Sequence, residues 1–124
     1  APGGEPISVA HDEHIAVAVA VLSGARHLAI GVDIEPWATF PAEVGPVVVR
    51  PDEGGIDPCL AFCVKEAAYK AWSAHGGGLL GHDDVRITID GERANARVVA
   101  DGVDIAGVWA SGAGRCLALA WLRM

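Results

Sequence analysis

The spacing of apolar and polar positions changes along the chain, and each spacing predicts an element. Over residues 14–22, β-branched residues alternate with alanine in Ile15-Ala16-Val17-Ala18-Val19-Ala20. This period of two predicts a strand with one bulky face and one face open to close approach. Residues 7–10 form a short extended candidate before it. Ser23-Gly24 signals a turn and residues 26–35 read as the next strand, so the two strands predict an antiparallel hairpin. Pro36 ends the second strand and holds Glu35 extended. Residues 37–56 are punctuated by Pro41, Gly45, Pro46, Pro51 and Gly54-Gly55. Within them, Val47-Val48-Val49 suits either a short strand or the tail of a helix.

The period then lengthens to that of a helix over residues 57–75. Asp57 is a good N-cap, Pro58 fits the first helical position, and Gly76-Gly77-Gly78 ends the run. Leu60, Val64, Ala67 and Ala71 share one face and are expected in the core. Alternation returns over residues 85–89, 96–100 and 103–110, with Asp90-Gly91 and Asp101-Gly102 as turns, and residues 116–122 read as a final strand. The pattern predicts an α+β fold, an antiparallel sheet packed against one long helix.

The 124 residues suit one domain, with residues 1–6 as a linker or boundary segment and residues 7–124 as the folded unit. At 52% hydrophobic and 20% charged, the composition is that of a globular chain rather than a disordered one. A formal net charge of −7 argues against non-specific nucleic-acid binding and requires any phosphate site to be local. The three cysteines, Cys59, Cys63 and Cys116, are odd in number and lack metal-ligand spacing, so they are expected as small core residues. Their use and the lack of a visible signal peptide suggest a reducing, cytoplasmic setting. The longest apolar run, residues 15–22, is too short to span a membrane as a helix.

Two segments carry candidate chemistry. In Gly31-Val32-Asp33-Ile34-Glu35, the carboxylates at i and i+2 emerge on the same face of a strand. An ionised Asp33 among Leu28, Ala29, Ile30, Val32 and Ile34 is costly unless a cation or hydrogen bonds satisfy it. In Lys65-Glu66-Ala67-Ala68-Tyr69-Lys70, Glu66 and Lys70 lie one helical turn apart. Alone they suit a helix-surface ion pair worth about 0.2–0.5 kcal/mol. Lys65 points about 100° away, toward solvent on this reading. If strand and helix pack, Asp33, Glu35, Glu66 and Lys70 meet at a point suited to a hard divalent cation and a polyphosphate. His11 lies between two extended segments, whereas His14, His27, His75 and His82 show no usable pattern. The glycines at 76–78 and 81 lack the order of a phosphate-binding loop and read as a helix end.

Taken together, these segments resemble the 4′-phosphopantetheinyl transferase superfamily, with its G-[VI]-D-x-E strand and later [FW]-x-x-K-E-[AS]-x-x-K helix. The second motif stands here as Phe62-Cys63-Val64-Lys65-Glu66-Ala67-Ala68-Tyr69-Lys70. Ser8-Val9-Ala10-His11 and Gly78-Leu79 are similar to further family segments, with Asp12 where a serine is common. The resemblance implies transfer of the phosphopantetheine arm of coenzyme A to a serine of an apo acyl or peptidyl carrier protein, with release of 3′,5′-ADP. The parent system would be fatty-acid, polyketide or nonribosomal-peptide synthesis. By this likeness Asp33, Glu35 and Glu66 hold Mg²⁺, Lys70 adds positive charge at the pyrophosphate, Glu66 serves as base, and His11 contacts a phosphate. The motifs look like those of the two-lobed surfactin- and enterobactin-synthetase type. The length is similar to the single-lobe holo-acyl-carrier-protein synthase type, whose members form trimers. A second lobe or further copies of the chain are therefore expected. A non-catalytic lobe that binds coenzyme A or carrier protein is the alternative, and a structural domain with solvated acids is another.

Overall fold

A computed structural model of the chain describes residues 7–20, 28–37 and 43–123. The fold is α+β, with antiparallel strands in two sheets and few helices. The first sheet is a ribbon of β1 (Ile7–His11) and β2 (Ala16–Ala20). After β3 (Leu28–Pro36) come a one-turn helix, α1 (Gly45–Val48), and the 17-residue α2 (Pro58–Ala74). Four strands complete the chain: β4 (Val85–Asp90), β5 (Arg93–Val98), β6 (Val103–Gly112) and β7 (Arg115–Arg123). The second sheet runs β3-β7-β6-β5-β4, all antiparallel.

The expected pairing of β2 with β3 is corrected by this topology. Among the described residues β2 pairs with β1, and β3 pairs with β7 from Leu28↔Arg123 to Pro36↔Arg115. The reason is burial. β3 is buried on both faces from Ala29 to Ile34, with α2 on one side and the ribbon on the other, and it pairs along its length with β7 as an edge strand of the larger sheet, whereas the alternating β2 is never fully buried. The turn expected at Ser23-Gly24 lies outside the described residues, as do residues 1–6. Val47-Val48-Val49 resolves into the end of α1 and its cap.

α2 begins where the sequence places it. The Asp57 carboxylate accepts from the backbone N–H of Cys59 (2.8 Å) and Leu60 (3.2 Å), and Pro58 occupies the first turn. The helix ends before Gly76, whose φ of 98° suits glycine. Leu60, Val64, Ala67 and Ala71 are buried as expected, against Ile87, Ala96, Ile105, Ala118 and other inward residues of the sheet. Cys59, Cys63 and Cys116 are all buried, and none of the three is joined in a disulfide. Small residues set the closest approach: a Cβ on Gly31 would lie 2.0 Å from the Ala67 carbonyl oxygen and 2.7 Å from the Ala71 nitrogen. Strand and helix therefore touch backbone to backbone where the two motifs cross.

Lys65 is a second correction. It is not solvated but 2% exposed, with Nζ donating to Glu53 Oε1 at 2.7 Å, the Val48 carbonyl at 2.8 Å and the His82 carbonyl at 2.9 Å. Glu53, also 2% exposed, accepts from the N–H of Arg50 and, through Oε2, of Ile87. Every donor of the ammonium has a partner, which offsets the cost of burying the charge. The pair ties the segment preceding α2 to α2 and β4.

Candidate active site

Odd-numbered positions of β3 face α2. Ala29 and Gly31 lie beneath the helix, and Asp33 and Glu35 follow on the same face toward the strand end, as the alternation predicts. Asp33 is 6% exposed, so the reading of a solvated strand-end acid fails. Its Oδ1 lies 3.5 Å from Lys70 Nζ, and its Oδ2 is buried with no conventional donor in reach. The Glu35 carboxyl lies beside that of Asp33, so the two influence each other's ionisation. Burial, with the Asp33 carboxylate beside it, pushes the Glu35 carboxyl up to about 8. Burial raises Asp33 as well, opposed by Glu35 and by Lys70.

Lys70 does not form the helix-surface pair with Glu66. Its Nζ reaches past β3, donating to the Val32 carbonyl (2.9 Å) and the Val9 carbonyl of β1 (3.3 Å) besides Asp33. The Val32 N–H is taken by Ser8 Oγ at 3.0 Å. Side chains thus satisfy the edge of β3 that β7 leaves free. Glu66 turns instead toward His82, with Oε1 3.9 Å from Nε2, and its charge still raises Asp33. The His82 ring lies 5.3 Å from that of Phe62, and its backbone carbonyl is held by Lys65. Glu66, Tyr69, Leu80 and His82 line a cleft of ≈ 250 Å³.

His11 is the exposed last residue of β1, opposite Ala16. The following Asp12 carboxylate accepts from the N–H groups of His14 and Ile15 and from Arg115 Nε at 2.6 Å. Arg115 holds the Asp12 carboxyl well below the usual carboxylate range. The negative charge that the sequence places beside His11 is therefore already countered. Lys65, Glu53, His82 and Arg115 were not singled out as site residues from the sequence. The spacing of Asp12 and Arg115, 103 residues apart, gives no local signal for their contact.

As arranged here, no group of three or more His, Cys, Asp or Glu side chains among the described residues is gathered closely enough to hold a metal ion. The donor chemistry nonetheless fits a hard cation. Asp33 presents a buried oxygen without a donor, with a second carboxyl, that of Glu35, beside it. A larger cleft, ≈ 980 Å³, lies on the opposite face of the sheet. It is lined by Val17, Val19, Val32, Leu117 and Leu119 and holds none of these acids. No helix among the described residues is long and apolar enough to cross a membrane.

No family model matches the chain. Among curated proteins, the chain is similar to the 4′-phosphopantetheinyl transferase Npt of Nocardia iowensis, with 37% identity over 89 residues. The match covers 64% of this chain and spans only 40% of the length of that relative. The similarity is confined to that stretch.

Proposed function

We propose that this chain is the catalytic lobe of a 4′-phosphopantetheinyl transferase, acting on coenzyme A and the serine hydroxyl of an apo carrier protein. The observation that carries the reading is the crossing of β3 and α2 at Gly31. It brings the buried Asp33–Glu35 pair against Lys70, with an oxygen of Asp33 left without a donor. The likeness to Npt gives independent support.

Asp33, Glu35 and Glu66 would hold Mg²⁺. When bound, the ion would polarise the phosphoryl group of the coenzyme A diphosphate and neutralise charge on the departing phosphate. Lys70 directs its ammonium at the same diphosphate, exchanging a longer contact, to Asp33 or to the Val9 carbonyl, for a phosphate oxygen. Glu66 accepts the proton of the serine hydroxyl as Oγ bonds to the phosphorus of the pantetheine phosphate. The bond to the bridging oxygen breaks and 3′,5′-ADP leaves. His11 adds a contact to a coenzyme A phosphate. One lobe does not enclose coenzyme A, so a second lobe or further copies of the chain complete the site.

The test is transfer of labelled phosphopantetheine to a panel of apo acyl and peptidyl carrier proteins with Mg²⁺. Glu66→Gln is expected to lower kcat by about 100-fold. Undiminished transfer by that variant would overturn the role given to Glu66. Light scattering with and without coenzyme A reports the assembly, and a fully active monomer of this lobe would refute the need for a second one.

A further inference from the structure

Among the described residues, the β1–β2 ribbon shares no backbone ladder with the five-stranded sheet. A two-stranded hairpin is marginal alone, so side chains must set its position. Ala10, Val17 and Val19 pack on Val32, Ile34 and Leu119, but such contacts permit sliding. Three polar links fix the register: Ser8 Oγ with the Val32 N–H, Lys70 Nζ with the Val9 carbonyl, and Arg115 with Asp12.

The third link is the shortest and the only one of the three that ties down the ribbon's turn. Its side chains are 20% and 8% exposed, unlike a mobile surface pair. Both ends are organised in advance. Asp12 Oδ1 already caps His14 and Ile15, while Oδ2 receives Arg115. Arg115 also donates through Nη1 to the Ala113 carbonyl at 3.2 Å. Ala113 lies in the left-handed region, at φ 51°, where alanine is strained. The same β6–β7 turn accepts the Trp37 N–H at the Gly114 carbonyl, 2.7 Å, just beyond the end of β3. The turn is therefore bound to the strand that carries Asp33 and Glu35.

We infer that Arg115 is a positioning residue. Through Asp12 it clamps the ribbon turn beside the Asp33–Glu35–Lys70 cluster and so fixes where His11 meets the phosphate end of the substrate. The inference rests on the transferase reading for its substrate and on the geometry alone for the clamp.

The experiment separates the two. In the whole protein with Mg²⁺, Arg115→Gln and Asp12→Asn are each expected to raise KM for coenzyme A about tenfold, more than they lower kcat. Arg115→Lys, which keeps the charge but not the fork, should raise KM less. The double variant Arg115→Gln with Asp12→Asn should raise KM no more than about threefold beyond either single variant, because each single change already breaks the same link. An unchanged KM in Arg115→Gln, or fully additive effects in the double variant, would overturn the positioning role. In the same proteins, amide hydrogen exchange over residues 7–20 should quicken about tenfold in Arg115→Gln. Unchanged protection overturns the clamp even if wild type transfers nothing, a result that by itself would defeat only the transferase reading.

Discussion

Two lysines of α2 each meet a carboxylate, and the two pairs differ in nearly every respect. Lys65 and Glu53 are 2.7 Å apart, each 2% exposed, with every donor and both carboxylate oxygens satisfied. Lys70 and Asp33 are 3.5 Å apart, the lysine is part-exposed, and one oxygen of Asp33 has no conventional donor. The first arrangement has nothing left to bind and serves as a structural pin. The second retains unmet electrostatic demand in a partly open place, as a site awaiting a charged ligand does. Satisfaction, rather than burial or charge, separates structure from chemistry on this helix.

Breaking the satisfied pair should have the largest effect on stability. Lys65→Met leaves Glu53 buried without its cation and is expected to cost about 3–5 kcal/mol in urea denaturation. A loss below about 1 kcal/mol would show that the two pairs do not differ as described. Next comes the contact that brings the second pair together. Gly31→Ala drives a methyl into the Ala67 carbonyl and should cost about 1–3 kcal/mol by the same measurement, as α2 is forced off β3. Asp33→Asn should act oppositely to Lys65→Met, leaving stability within about 1 kcal/mol of wild type because it removes an under-satisfied charge. The same substitution should abolish any rise in Tm on adding Mg²⁺, read by calorimetry.

Last comes a pH slope, weakened by solvent because Glu35 is only part-buried. Glu35 rises from an ordinary value of 4.5 to about 8 on folding. The folded chain therefore binds more protons than the unfolded one between those values. Stability from this group is complete below pH 4.5 and is lost as pH rises through about 8. Denaturation in chelator across that range should show the fall, and Glu35→Gln should flatten it. An equal slope in Glu35→Gln would mean that another group is responsible.

What could be read from the sequence was local. The alternation at Gly31–Glu35 gives the shared face of the acids, and Asp57-Pro58 and Gly76 give the limits of α2, because a strand's period and a helix's caps are written within a few residues. What was missed is distant. β3 pairs with β7 and not with its sequence neighbour, since double-sided burial outweighs proximity. Lys65 looked solvated because its partner, Glu53, lies in the stretch of prolines and glycines where no period is visible. Asp12 looked like an unwelcome charge because Arg115 lies at the far end of the chain. Helical spacing suggested a Glu66–Lys70 pair, but the crossing with β3 offers Lys70 the backbone carbonyls of Val9 and Val32.

The pairing of β3 with β7 also has a consequence in time. During synthesis the strand bearing Asp33 emerges well before β7, its hydrogen-bonding neighbour. Until then, its apolar residues have no ladder and call for shielding, by chaperones or by provisional contacts. The acidic centre thus waits on β7 for its assembly, and a nascent chain cut short before Arg115 would lack both the ladder for β3 and the counter-ion for Asp12.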